Sequence, residues 1–166
     1  MPLYDLLLPE FDYEIKKTRT VLERLPEDRP DYKPHDKSMS LTKLANHTAQ
    51  LPSFLSLMLT TESFDVTQPS VPRPPAPTTH EERLASLDLL AATARAELAG
   101  TADRAMHENW KLSAGERIIY NGSRYHAVRS MFFNHMIHHR AQLSMYLRLN
   151  DVAVPSIYGP SADETV

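Results

Sequence analysis

The chain has no cysteine, four glycines and one tryptophan in 166 residues. Without cysteine there is no disulfide framework, no thiolate metal ligand and no sulfur nucleophile from the protein itself. Neither G-x-G-x-x-G nor G-x-x-x-x-G-K-[ST] occurs, so dinucleotide and P-loop chemistry are excluded as first readings. No serine sits in a nucleophile-elbow motif. An excess of either charge is also missing: 18 basic against 21 acidic residues leave a net charge of -3. Such a balance gives no electrostatic footprint for nucleic acid or for an anionic membrane. No apolar run approaches the roughly 20 residues that span a bilayer, and Met1-Pro2-Leu3-Tyr4-Asp5 lacks the basic start of a signal peptide. A soluble, cytoplasmic protein with no nucleic-acid or membrane partner is the default expectation.

Proline and histidine are in surplus, at 13 and 8 residues. The length suits one domain, residues 1–166, with a single core that buries roughly 70% of the unfolded chain's surface. Helical periodicity dominates it. Phe11, Ile15, Thr18, Leu22 and Leu25 repeat at steps of four and three, so a first helix is expected from Pro9 to about Leu25. Ser40 reads as the N-cap of a second helix with Leu41, Leu44, Leu51, Leu55 and Met58 on one face up to about Thr61; Pro52 should kink it just after the turn holding Thr48. Residues 65–78, with Pro69, Pro72, Pro74, Pro75 and Pro77, read as a stiff extended connection. Thr79 and Glu82 form a capping-box pattern opening a third helix on Leu84, Leu87, Ala91, Ala94 and Leu98, with Gly100 as its stop. Asn109 to Tyr120 has the look of a short hairpin or irregular segment, and the longest helix follows Ser123 and reaches about Asn150. The expected fold is therefore all-α, an antiparallel four-helix bundle with that segment before the last helix.

The histidines carry the chemistry. Four of the eight lie between His126 and His139. At about 100° per residue the apolar stripe of the last helix is centred on Val128, Phe132, Leu143 and Tyr146, and His135 and His139 fall inside it. His138 lies at its edge and His126 outside. Two imidazoles buried without partners would cost about 1–3 kcal/mol each, and a divalent metal removes that cost. The i, i+4 spacing lets both rings converge on one ion. His47, on the apolar arc of the second helix, is the candidate third ligand. Three histidines from two helices leave an open coordination position, the pattern of a catalytic site. The competing reading is a polar network of the same histidines with Gln142 and Tyr146, which share their face. His138 and Arg140 read as surface groups, interface groups or groups standing behind the ligands, and Phe133 and Ile137 as an outward self-association surface.

The run Asn134-His135-Met136-Ile137-His138-His139-Arg140-Ala141-Gln142-Leu143, continuing through Tyr146-Leu147-Arg148 to the tail from Val154 to Asp163, resembles the C-terminal part of the DinB family, also described as DinB/YfiT-like metalloenzymes. Leu8-Pro9-Glu10-Phe11, Tyr32-Lys33-Pro34-His35, Ser38-Met39-Ser40-Leu41 and Leu44-Ala45-Asn46-His47 are similar to its N-terminal half. The resemblance implies an up-down-down-up bundle, usually dimeric, with a divalent metal on three histidines that match His47, His135 and His139. The Arg140-x-Gln142 that follows sets the register and excludes His138. It also implies a low-molecular-weight thiol as co-substrate in some relatives, which are transferases or isomerases.

The function expected from these readings is divalent-metal binding at a three-histidine site, with Zn or Ni ahead of Mn or Fe, in a homodimeric metal-dependent transferase, isomerase or hydrolase-like enzyme whose substrate the sequence does not name. Gln142 and Tyr146 are the expected orienting groups behind the ligands. The alternative is a nonenzymatic, stress-associated binding protein with a structural metal or a histidine network.

Overall fold

The computed structural model describes residues 2–68 and 74–165; the expected extended path at Pro69 and Pro72 lies outside them. Helix α1 runs Leu3–Leu22, α2 Leu41–Thr60, α3 His80–Gly100 and the short α4 Asp103–His107. Strand β1 is Ser63–Asp65, β2 Asn109–Ala114 and β3 Arg117–Ser123. The C-terminal helical stretch is built as α5 Arg124–Val128, a π-turn Arg129–Phe133 and α6 Asn134–Leu149.

The all-α four-helix bundle expected from the periodicity is not what forms. The hairpin is real, with β2 antiparallel to β3, but it is part of a three-stranded mixed sheet in the order β1-β2-β3, with β1 parallel to β2. β1 has only three residues and precedes the prolines, too short for alternation to register. Its pairing is set by packing: Phe64 stands opposite Leu112, and Phe64, Trp110 and Leu112 are buried in the cluster that holds Leu55, Met58 and Phe132. Gly115 closes the hairpin at φ +60, where a side chain would be strained, and its amide donates to Asp65 Oδ1 at 3.1 Å, tying the turn to β1.

Helix boundaries follow their local chemistry. Ser40 caps α2 through Lys43 N, and Thr79 and Glu82 complete the capping box of α3. α1 begins six residues before the expected Pro9, which sits inside the helix. Pro9 is exposed, and so is Asp5, whose carbonyl loses its helical donor there and is left to water. α2 runs through Pro52.

α2 packs along α3 and against α6, and α1 against α3 and α6. Two apolar clusters fill the interior. One holds Phe11, Leu51, Leu55, Met58, Trp110, Phe132, Phe133 and Met136; the other holds Leu22, Leu41, Leu44, Leu87, Leu143 and Leu147. Phe133 is therefore fully buried, not the outward residue that uniform helical phase predicts. The cause is the π-turn, in which the Asn134 amide reaches back five residues to the Arg129 carbonyl. One extra residue in that turn brings Phe132 and Phe133 to the core together, their ring centroids 5.0 Å apart. No helix among the described residues is long and apolar enough to cross a membrane.

Candidate metal centre

Along α2, His47 falls between Leu44 of one cluster and Leu51 of the other; His135 and His139 of α6 fall between Phe133 at the end of the π-turn and Leu143. The rings are thus presented where the two apolar clusters meet. His47 and His135 are half-buried and His139 is buried. Their ligand atoms lie within 4.8 Å of one another and form a group that can hold a metal ion. His135 Nε2 is 3.3 Å from His47 Nε2 and 2.7 Å from His139 Nε2.

The tautomers follow from what stands behind each ring. His139 Nδ1 is 2.7 Å from Gln142 Oε1, and His135 Nδ1 is 3.3 Å from the Met131 carbonyl. Both oxygens only accept, so the ring protons sit on Nδ1 and the two Nε2 lone pairs are bare. Two bare lone pairs at 2.7 Å repel unless a cation lies between them. Metal–nitrogen bonds of about 2.0–2.1 Å space tetrahedral neighbours about 3.3 Å apart. The His47–His135 separation already has that value, and the donor set fits a divalent ion.

The electrostatics agree. Burial, then the charges His139 and His135 would carry, lower the His47 pKa to about 4. Burial also lowers the pKa of His135, with the Met131 carbonyl opposing it, and of His139, with Gln142 opposing it. All three rings are held neutral, the form that binds metal.

Of the groups expected behind the ligands, Gln142 joins the site. Tyr146 does not join these hydrogen bonds: its hydroxyl donates to the Met39 carbonyl at 3.0 Å and its ring meets Tyr32 edge-on. His138 is exposed, its ring centroid 5.0 Å from that of His139. Arg140 is not a surface group. It is 2% exposed and bonded to Glu14 and Tyr158. The Met131 carbonyl was invisible to sequence reasoning because main-chain atoms carry no residue signature; only its position four residues before His135 pointed to it.

A sequence model of the DinB family matches residues 3–165. The fold is similar to the crystal structure of a DinB-like protein from Bacillus cereus ATCC 10987, at 16% identity and a TM-score of 0.71, over 95% of this chain and 98% of that one. A comparison with curated proteins finds no match.

Proposed function

The chain belongs to the DinB family, and from that premise we propose that it is a metal-dependent enzyme whose divalent ion is held by His47, His135 and His139. The observation that carries the reading is the pair of bare Nε2 atoms at 2.7 Å, each ring oriented by an acceptor on its far side. When bound, the ion supplies Lewis-acid polarisation that makes a nucleophile available near neutral pH.

The chain's own residues do the rest. Met131 and Gln142 fix two rings in one tautomer, so that entry of the ion needs only a small opening of the His135–His139 pair from 2.7 Å. Leu44, Leu51 and Leu143 flank the ligands along their helices and keep the far side of the site apolar. Three ligands leave a position open for substrate. Zn or Ni is the ion proposed first, because three neutral imidazoles favour borderline metals, with Mn or Fe next. A low-molecular-weight thiol is the co-substrate class proposed for a transferase or isomerase reaction; with no cysteine in the chain, any reacting sulfur must come from a partner molecule. A homodimer belongs to the same proposal, with Phe133 excluded from its surface by burial.

A structural role has one observation in its favour: the three rings join α2 to α6. Metal analysis of untagged protein tests the site, with about one divalent ion per chain expected and lost in His139→Ala. Unchanged metal content in that variant would overturn the assignment. Chelation separates the roles. A chelated protein that stays folded and loses thiol transfer supports the enzyme; one that melts, with no thiol transfer before chelation, supports the structural ion.

A further inference from the structure

Three arginines are buried, and in two of them at least one terminal nitrogen is bonded. Arg124 donates to the carbonyls of Met58, Thr61 and Ala105, and Arg140 bonds Glu14 and Tyr158. Arg83 is different. It is 7% exposed, its Nε donates to Asn46 Oδ1 at 2.8 Å, and its two terminal nitrogens meet no acceptor among the described residues. Asn46 is itself fixed, its amide nitrogen donating to the Pro77 carbonyl at 2.7 Å, so the guanidinium plane is held from behind.

Arg83 lines a cavity of about 160 Å³ between the α1–α2 connection, the first turns of α2 and the start of α3. Leu25 and Leu41 form part of its apolar wall. His80 also lines it, and the His80 Nδ1 is buried without a partner among the described residues. The little exposure that Arg83 keeps includes its terminal nitrogens, which are not closed off from solvent, whereas His80 Nδ1 is closed off and only the rest of that ring forms wall. A guanidinium held from behind and open only at its terminal N–H donors is preorganised for an acceptor. Glu27 borders the same space, but it is exposed and its charge only favours the guanidinium from outside ion-pair contact.

We propose that this cavity is a second ligand site, separate from the histidine centre, which binds a small organic carboxylate: the carboxylate on the terminal nitrogens of Arg83, with the His80 ring as part of the wall and a short apolar stem against Leu25 and Leu41. A planar guanidinium presents parallel N–H donors that match a carboxylate in a bidentate bond. The negative Glu27 at the rim disfavours a dianion such as phosphate. The volume is below the roughly 300–1,000 Å³ of drug-sized pockets, which restricts the ligand to a few heavy atoms.

The test is an NMR titration of ¹⁵N-labelled, zinc-loaded protein with sodium propionate and, separately, inorganic phosphate, following the Arg83 Nε–H and His80 ring signals. Saturable shifts of both signals are expected with propionate, and at least about tenfold weaker binding with phosphate. Arg83→Gln should weaken propionate binding about tenfold or more, and Glu27→Gln should strengthen it several-fold. Should Arg83→Gln fail to fold, Glu27→Gln still decides, since its substitution is at an exposed rim. Shifts that never saturate, that appear only at His135 and His139, or that Glu27→Gln leaves unchanged would overturn the site; phosphate binding as tightly as propionate would overturn the carboxylate assignment.

Discussion

Gln142 acts on the candidate metal through one hydrogen bond, from His139 Nδ1 at 2.7 Å. Gln142→Leu keeps the side-chain volume but removes that acceptor, so the His139 ring is free to turn or to move its proton to Nε2. Metal affinity should fall by about 10–100-fold with the fold intact, as for other groups that orient a histidine ligand. Competition against a chromophoric chelator measures it, and affinity within about twofold of the parent would mean that packing alone orients the ring. The lowered pKa of His47 has a consequence for the metal-free protein. Its ordinary value is 6.5 and its folded value about 4, so between these the unfolded chain binds the extra proton. Stability is therefore full above pH 6.5 and declines as pH falls towards 4, and burial lowers His135 and His139 in the same direction. After allowance for solvent screening of a half-buried ring, His47 contributes about 1–2 kcal/mol to that decline. Urea midpoints of the chelated protein across this range should show it, and His47→Gln should flatten the slope; an unchanged slope would remove His47 from the account.

Where an element keeps one period along its length, its buried face was readable from spacing. α2 buries Leu41, Leu44, Leu51, Leu55 and Met58, and α3 buries Leu87, Ala91, Ala94 and Leu98 of its stripe, with Leu84 half-buried at its start. The C-terminal helix changes period at the π-turn, which no spacing rule announces. His135 and His139 survived the error because their phase was shared with Leu143 and Tyr146, which lie on the same side of the turn. Phe133 did not, since its phase was judged within the turn itself. β1 escaped notice for another reason: it exists only because β2, almost fifty residues later, offers it an edge. If the π-turn serves to bring Phe132 and Phe133 into the core together, Phe133→Ala should cost about 3–5 kcal/mol, the loss for a fully buried aromatic side chain. A cost below about 1 kcal/mol in chemical denaturation would return Phe133 to a surface role.

At the level of the molecule, the three histidines were legible because residue type and helical phase suffice to bring them together, whereas the strongest tie of the C-terminal tail was not. Arg140 bonds Glu14 of α1, 126 residues away, and Tyr158 of the tail, whose hydroxyl donates to the same carboxylate at 2.8 and 2.9 Å. A charged residue beside a histidine motif reads as surface when α1 and the tail have no known position. Arg140 and Glu14 side chains are 2% and 5% exposed, so the pair is desolvated and each charge depends on the other. Arg140→Met should therefore destabilise the protein by about 3–5 kcal/mol, because it strands the Glu14 carboxylate away from water. Tyr158→Phe, which removes one hydroxyl and leaves the ion pair, should cost about 1 kcal/mol. The double variant Glu14→Leu with Arg140→Met is the deciding case. If the single loss comes from a stranded charge, removing that charge restores most of it, and the double variant should be more stable than Arg140→Met alone. If the loss comes from packing, the double variant should be no better than the single one. Denaturation midpoints of the four proteins in one buffer distinguish these outcomes, and they also decide whether the tail is held by charge or by the stacking of Tyr158 on Tyr13 at 6.1 Å.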